Sequence, residues 1–360
     1  MRATHPLRLP TSCTLRRLSA LTVVTLALTI SSCSLREGTQ SLAITSLTAQ
    51  EADAVKPQDS ISDMDNQPLS TASGVVTMST SYVAGGIGST AKEMATTVVS
   101  RERSTDKFQW AVSIKPAVAD QERTEYTNSA QSAMNNAMGR SSTGSVVVSP
   151  DGRHLSLILL PAEQQAGESA ADLRTHIVVL EAKTGKTVRD ATVSGIVLGQ
   201  ALTNSSLVVE TAQNYFPAGS GKGILTTFSL TDASAQPFSF PTDKWLVGAT
   251  RENLVLASNR LPDDCVYGCS LTTVSLVSTE GTTTKSVSGV TAVHPGGWIH
   301  RFADPKAASA LHLRSKAATE EERKAISSSW ETLEQQLVNP SIKKTIDITG
   351  KRTFERGVPT

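Results

Sequence analysis

Histidines, carboxylates and glycine-rich turns are the residues of this 360-residue chain able to do chemistry, and their spacing decides whether they do. His294-Pro295-Gly296-Gly297 has the glycine content of a loop that offers backbone N–H groups to an oxyanion, but no Gly-x-Ser-x-Gly elbow accompanies it. Ala218-Gly219-Ser220-Gly221-Lys222-Gly223 approaches a phosphate loop. Phe216 stands where its first glycine is required and Gly223 where Ser or Thr would hold a magnesium ion, so the segment reads as a hairpin turn. Asp263-Asp264 has carboxylates of the kind that hold calcium with backbone carbonyls, against the plainer reading of a solvated loop. His154, His176, His294, His300 and His312 show no metal-ligand spacing. The sequence therefore presents no catalytic, cofactor or metal constellation. An enzyme would have to gather its residues from several loops, with His294, His300, Asp263 and Asp264 as first candidates.

Nearer the start, Arg2, Arg8, Arg16 and Arg17 precede an uncharged run from Leu18 to Ile30, and no acidic residue appears before Glu37. The positive-inside preference holds such a start on the cytoplasmic face. A run of about 13 residues matches a signal h-region and falls short of the ~20 that span a bilayer. It closes on Ile30-Ser31-Ser32-Cys33, which resembles the lipobox of bacterial lipoproteins. That resemblance implies cleavage before Cys33, diacylglycerol on its thiol, and a chain anchored to the membrane by lipid on the extracytoplasmic side. Two or three acyl chains hold stably where one is marginal, at ~0.8 kcal/mol per buried methylene. With Cys13 removed and Cys33 lipidated, Cys265 and Cys269 remain in an oxidising compartment, where a structural disulfide closing Cys-Val-Tyr-Gly-Cys is expected. The spacing departs from a thioredoxin-type Cys-x-x-Cys, and zinc would need two further ligands.

Composition agrees with an exported, folded chain. Residues 1–33 hold four basic and no acidic residues, leaving 30 basic against 33 acidic in the mature part, a formal charge of −3. Nucleic acid is excluded as an expected partner, because phosphate binding needs a basic excess on one face. Segment 33–73 lacks periodic apolar residues and carries Lys56-Pro57 and Gln67-Pro68, which predicts a lipid-anchored flexible tether after the signal peptide of 1–32. Forty such residues reach roughly 35 Å. The alternative is that Leu42, Ile44 and Leu47 form a strand of the domain.

Past residue 140 the chain repeats. Ile177, Ile224 and Leu271 fall 47 residues apart, each opening or lying within a short apolar segment, and Leu207-Val208-Val209 and Leu254-Val255-Leu256 keep the same step. Turn residues such as Lys183-Thr184-Gly185-Lys186 separate four short strands per unit. This predicts an all-β chain, a β-propeller of five or six four-stranded blades over 74–360. Blades fall at roughly 144–195, 196–243, 244–289 and 290–356, with 74–143 adding a degenerate one. Residues 74–83 are expected to pair with the terminal strands near 345–354 and close the ring. An antiparallel β-sandwich is the alternative. Val146-Val147-Val148-Ser149-Pro150-Asp151-Gly152-Arg153-His154-Leu155 resembles the strand, Ser-Pro-Asp-Gly, strand passage of Tol-associated and WD40-like bacterial propellers.

One amphipathic helix is predicted as an insertion over about 319–337, with Thr319 and Glu322 as a capping box and Ile326, Trp330, Leu333 and Leu337 on one face. A second is predicted at 126–138. The first either packs on the propeller or offers Trp330 and Leu333 to a partner. The expected function is a membrane-anchored binding or scaffold module for an envelope protein, peptide or glycan. The alternative is an envelope hydrolase with active-site residues from several blade loops. A quinoprotein-like propeller lacks its Trp-rich docking motif.

Overall fold

Successive side chains of a strand point to opposite faces, so an unbroken apolar run such as Ile177-Val178-Val179-Leu180 is stable only where both faces of its sheet are covered. In the structure, a computed structural model, both are. Residues 41–55, 68–83, 93–119, 143–161, 170–212, 223–259, 261 and 271–350 are described, and they belong to one unit, Gly38–Thr360.

Sheet 1 has the order β1-β5-β4-β3-β2, built from β1 Ala43–Leu47, β2 Leu69–Ser70, β3 Val75–Val83, β4 Glu93–Arg101 and β5 Phe108–Lys115. Sheets 2 and 3 are four-stranded meanders. Sheet 2 holds β6 Val146–Val148, β7 His154–Ile158, β8 Arg174–Glu181 and β9 Thr187–Ser194. Sheet 3 holds β10 Ile196–Leu202, β11 Ser206–Ala212, β12 Gly223–Ser229 and β13 Phe238–Thr242. One ladder follows: β14 Trp245–Ala249, β15 Leu254–Ala257, β16 Thr272–Val277, β17 Thr283–His294, β18 Trp298–Phe302, β19 Gln335–Asn339 and β20 Lys344–Asp347. Its long strand β17 serves two partners. Residues 283–290 pair with β16 and residues 290–294 with β18, with Gly289 at φ 72° where the two halves meet. The ladder thus divides into sheets 4 and 5, which share a strand.

Alternate faces of each sheet are buried against different neighbours. Val178 and Leu180 of β8 pack with Trp110, Ile114, Leu155 and Leu157, joining sheets 1 and 2. Ile177 and Val179 pack with Leu207, Val209 and Phe228, joining sheets 2 and 3. Val208 and Leu225 meet Leu254 and Leu256 between sheets 3 and 4. Val255 and Ala257 point the other way, towards Val290, Val293 and Ile299. Strands β8, β11 and β15 each carry a single apolar run because each lines two interfaces.

The turns that open the sheets are built alike. Thr203 donates its N–H to Ser206 O (2.9 Å) and accepts from Ser206 N (2.9 Å). Thr250 does the same with Asn253 (2.7 and 3.1 Å), and Thr71 with Gly74 (2.9 and 3.1 Å). Neighbouring turns are stitched together: Ala72 N donates to Gly152 O, and Asn204 N to Arg251 O, each at 2.9 Å. In the Ser149–Gly152 turn Asp151 Oδ1 accepts from Ser149 Oγ (2.6 Å) and Arg153 N (3.1 Å), while Gly152 takes φ 70°. A Cβ at Gly152 would lie 2.6 Å from Ala72 N, so two constraints require glycine there.

Ile177 and Ile224 lie on the third strands of sheets 2 and 3, and Leu271 directly precedes the third strand of sheet 4. Three different sheets excludes a two-sheet sandwich. Other expectations are corrected. The segment expected to be a tether contains β1, paired along its length with β5, and α1 Ala49–Ala54, whose Thr48 and Glu51 form a capping box. Leu42 and Ile44, on one face of the strand, pack against the core of sheets 1 and 2, and Arg101 Nη2 reaches Asp53 Oδ1 at 2.7 Å. Residues 75–83 pair with β2 and β4, not with β20, which pairs only with β19 among the described strands. The expected closure is therefore absent from that pairing. The helix expected over 319–337 is α3 Glu320–Thr332, capped by Thr319 and Glu322 as its sequence requires. It ends five residues early because Leu337 belongs to β19, opposite His300. A helix at α2 Pro305–Ala317 precedes it, signalled by Asp304 at the N-cap and Pro305 in the first turn but lacking an amphipathic period. The helix expected at 126–138 lies outside the described residues.

A chain that begins at residue 56 loses β1 and α1 and uncovers one edge of β5. Its unfolding free energy, measured by urea titration, is expected to fall by about 2 kcal/mol through the lost burial of Ile44 and its neighbours. A flexible tether would leave it unchanged.

Candidate functional site

Two of the sequence-selected histidines come together. β17 ends at His294, a 3-10 turn spans Pro295–Gly297, and β18 begins at Trp298. Cross-strand partners share a face, and here His294 opposes Trp298 while Ala292 opposes His300. His294, Trp298, His300 and Phe302 therefore form a row on one face of sheet 5. The two imidazoles stack at 6.2 Å between ring centroids, with 25° between planes. Gly296 and Gly297 both take positive φ, 78° and 79°. A Cβ on Gly297 would come within 2.9 Å of Thr250 Cα, so this glycine lets the turn lie against sheet 4. Asn339 Nδ2 donates to Gly296 O at 2.9 Å and holds the turn from the other side.

His300 is 6% exposed. Its Nε2 lies 3.0 Å from Gln335 Oε1, and Gln335 Nε2 donates to Trp330 O at 3.4 Å. That second bond orients the amide, which makes Oε1 the acceptor and Nε2 of His300 the donor. Burial lowers the pKa of His300 against a smaller upward effect of Gln335. Burial, reinforced by His300, lowers that of His294 to about 4. Both rings are neutral at pH 7.

Trp330 and Leu333 do not form a free partner surface. Trp330 is 3% exposed and packs with Phe302, Ala308, Leu311 and Ile326, at 5.4 Å between the Phe302 and Trp330 rings. Leu333, partly buried, packs on the same cluster. His154 lies on β7, its pKa lowered by burial against the opposing pull of Asp151. His176 on β8 meets Asp190 at 3.6 Å and Thr192 Oγ1 at 3.2 Å. His312 lies on α2. Among the described residues no three His, Cys, Asp or Glu side chains gather as a metal set. Cys33, Cys265, Cys269, Asp263, Asp264 and the turn at 218–222 lie outside the described residues.

Three buried polar residues passed unnoticed in the sequence. Gln200, wholly buried, donates from Nε2 to Ser145 O (2.8 Å) and Gly144 O (3.1 Å), and accepts from Ser156 Oγ (2.6 Å), tying sheet 3 to sheet 2. Glu210, 2% exposed, accepts from Leu246 N at 3.0 Å and ties sheet 3 to sheet 4. Gln335 is the third. Gln200 and Glu210 each interrupt an otherwise small or apolar strand, which is the signal that could have found them, whereas Gln335 opens a strand that also holds Gln336 and Asn339 and carries no such signal.

No protein-family model and no curated protein matches this chain. Solved structures resemble it distantly. The β-propeller domain of the Trilobed protease from Pyrococcus furiosus is 11% identical over 79% of this chain and 69% of that one, with a TM-score of 0.37. Pyrococcus horikoshii acylaminoacyl peptidase is 11% identical over 67% of this chain and 35% of that one, at 0.36. An acylaminoacyl peptidase in complex with Z-Gly-Gly-Phe-chloromethyl ketone is 10% identical over 80% and 39%, at 0.38. This chain spans little more than a third of the length of those two peptidases. Likenesses this distant say nothing about what the chain acts on.

Replacing Gln335→Leu leaves the His300 Nε2–H without its acceptor at nearly constant volume. The unfolding free energy is expected to fall by about 1–3 kcal/mol, the cost of an unmade buried bond. A change under about 0.5 kcal/mol by urea titration would show the bond to be idle.

Proposed function

We propose that this chain is an extracytoplasmic lipoprotein, anchored through Cys33, whose stacked sheets form a β-propeller that binds an envelope protein, peptide or glycan. The address rests on one observation: an uncharged run of about 13 residues behind four arginines, closing on Ile30-Ser31-Ser32-Cys33. Support for the propeller is geometric. Sheets 1 to 5 stack in sequence order through alternate faces, β10 adjoins both β6 and β14, and the turn 295–297 lies against β14 and β6. First strands that meet in this way surround a common axis.

Binding is favoured over hydrolysis because the polar groups that could have served chemistry serve the fold. His300 is buried and bonded to Gln335, His294 is held neutral, and Gln200 and Glu210 tie sheets together. A propeller presents its loops as a rigid recognition surface without needing an acid–base pair. The disulfide Cys265–Cys269 belongs to the same reading, as a covalent staple between β15 and β16 in sequence.

Metabolic labelling with palmitate tests the anchor. The native chain is expected to take label and fractionate with membranes, and Cys33→Ser to lose the label. Equal labelling of the variant would overturn the lipoprotein reading. Cross-linking of intact cells followed by purification of the lipidated chain is expected to recover one envelope partner in stoichiometric yield.

A further inference from the structure

The last strand of a sheet leaves backbone N–H and C=O groups facing away from its partner. Such an edge is a template for another chain unless a charge, a proline or a covering segment blocks it. Three outer edges of this chain are blocked. β9 carries Arg189 and Asp190, β13 carries Pro241, which has no N–H to offer, and β20 carries Lys344 and Asp347. β1, which ends sheet 1, differs. Its Ala43-Ile44-Thr45-Ser46-Leu47 holds no charge, no proline and no glycine, and it runs along β5 without a bulge. Among the described strands β5 alone pairs with it. The helix α1 that follows β1 leads away from the open side, because Asp53 is drawn to Arg101 on β4, two strands inward. Ala43, Thr45 and Ser46 are exposed.

We propose that the free edge of β1 pairs with the same edge of a second copy, antiparallel about Thr45, and joins two five-stranded sheets into one continuous sheet. The edge itself names this occupant. Unpaired donors and acceptors at strand spacing are met only by extended backbone. A two-fold contact repeats one surface, so side chains near the axis meet their own counterparts. Pairing about Thr45 sets Thr45 opposite Thr45, Ile44 opposite Ser46 and Ala43 opposite Leu47. Facing threonines are a favourable cross-strand pair, and no ionised side chain of β1 has to be stripped of water. A contact made by one short strand belongs with the small interfaces that bury less than roughly 1,200 Å², so the association is weak and depends on concentration. The inference does not depend on the lipid anchor.

The chain as its host exports it, kept in mild detergent, is compared at low and high protein concentration by native mass spectrometry and by hydrogen exchange. The mass is expected to move from one copy to two, and exchange across 43–47 to slow at least about threefold while β9, β13 and β20 keep their rates. Thr45→Lys brings like charges face to face at the axis and is expected to weaken association about tenfold with an unchanged urea midpoint. Should that variant lose stability, Ala43→Lys puts a hydrated charge on the same edge and is read for the same loss. A single copy at every concentration, protection gained at another edge instead of β1, or undiminished association of a folded lysine variant would overturn the proposal.

Discussion

A sheet whose strands are apolar on both faces cannot stand with one of them in water, and that constraint organises this chain. In β8 the even-numbered Val178 and Leu180 belong to the interface with sheet 1, and the odd-numbered Ile177 and Val179 to the interface with sheet 3. The pattern recurs in β11, where Leu207 and Val209 face sheet 2 while Val208 faces sheet 4. Burying one such leucine or isoleucine contributes about 1.5–3 kcal/mol, so losing a neighbour would uncover several at once. No sheet in the middle of the stack is stable without both of its companions.

Polar groups then fix how the stack is registered, since apolar packing alone is not directional. Gln200 and Glu210 cross the interfaces as buried, bonded side chains, and Trp110 Nε1 donates to Ala182 O at 2.9 Å between sheets 1 and 2. Gly185, at φ 69°, lies under Trp110 where a Cβ would come within 2.5 Å of the indole. Three opening turns are closed by a threonine hydroxyl, and two pairs of neighbouring turns are stitched together by backbone bonds. Sheet 5 differs from the rest. Its row of His294, Trp298, His300 and Phe302 is covered in part by an inserted helical pair, and its polar contacts converge on two titratable rings.

The strand content was legible because the signals were local: apolar runs, and turns such as Ser149-Pro150-Asp151-Gly152 whose residues each have one conformational task. The cap of α3 was legible for the same reason. What the sequence hid was long-range. Nothing local shows that Ile44 and Leu47 find β5, that Leu337 pairs opposite His300 rather than extending a helix, or that residues 75–83 stay in their own sheet. Of the candidate site, the histidines were visible as residues, but their stacking depends on a cross-strand register, and Gln335 enters only through β19. Trp330 was visible as part of an apolar face, and only its docking on Phe302 shows that the face is covered by the chain itself.

The dependence of each sheet on both neighbours is most directly tested by double-mutant cycles across one strand. Ile177→Ala combined with Leu207→Ala removes two side chains of one interface, whereas Leu180→Ala combined with Leu207→Ala removes side chains of two different ones. Stabilities from chemical denaturation should be coupled by roughly 0.5–3 kcal/mol in the first cycle and additive within about 0.5 kcal/mol in the second. Additivity in the first cycle, or strong coupling in the second, would contradict the stacking of sheets through alternate faces.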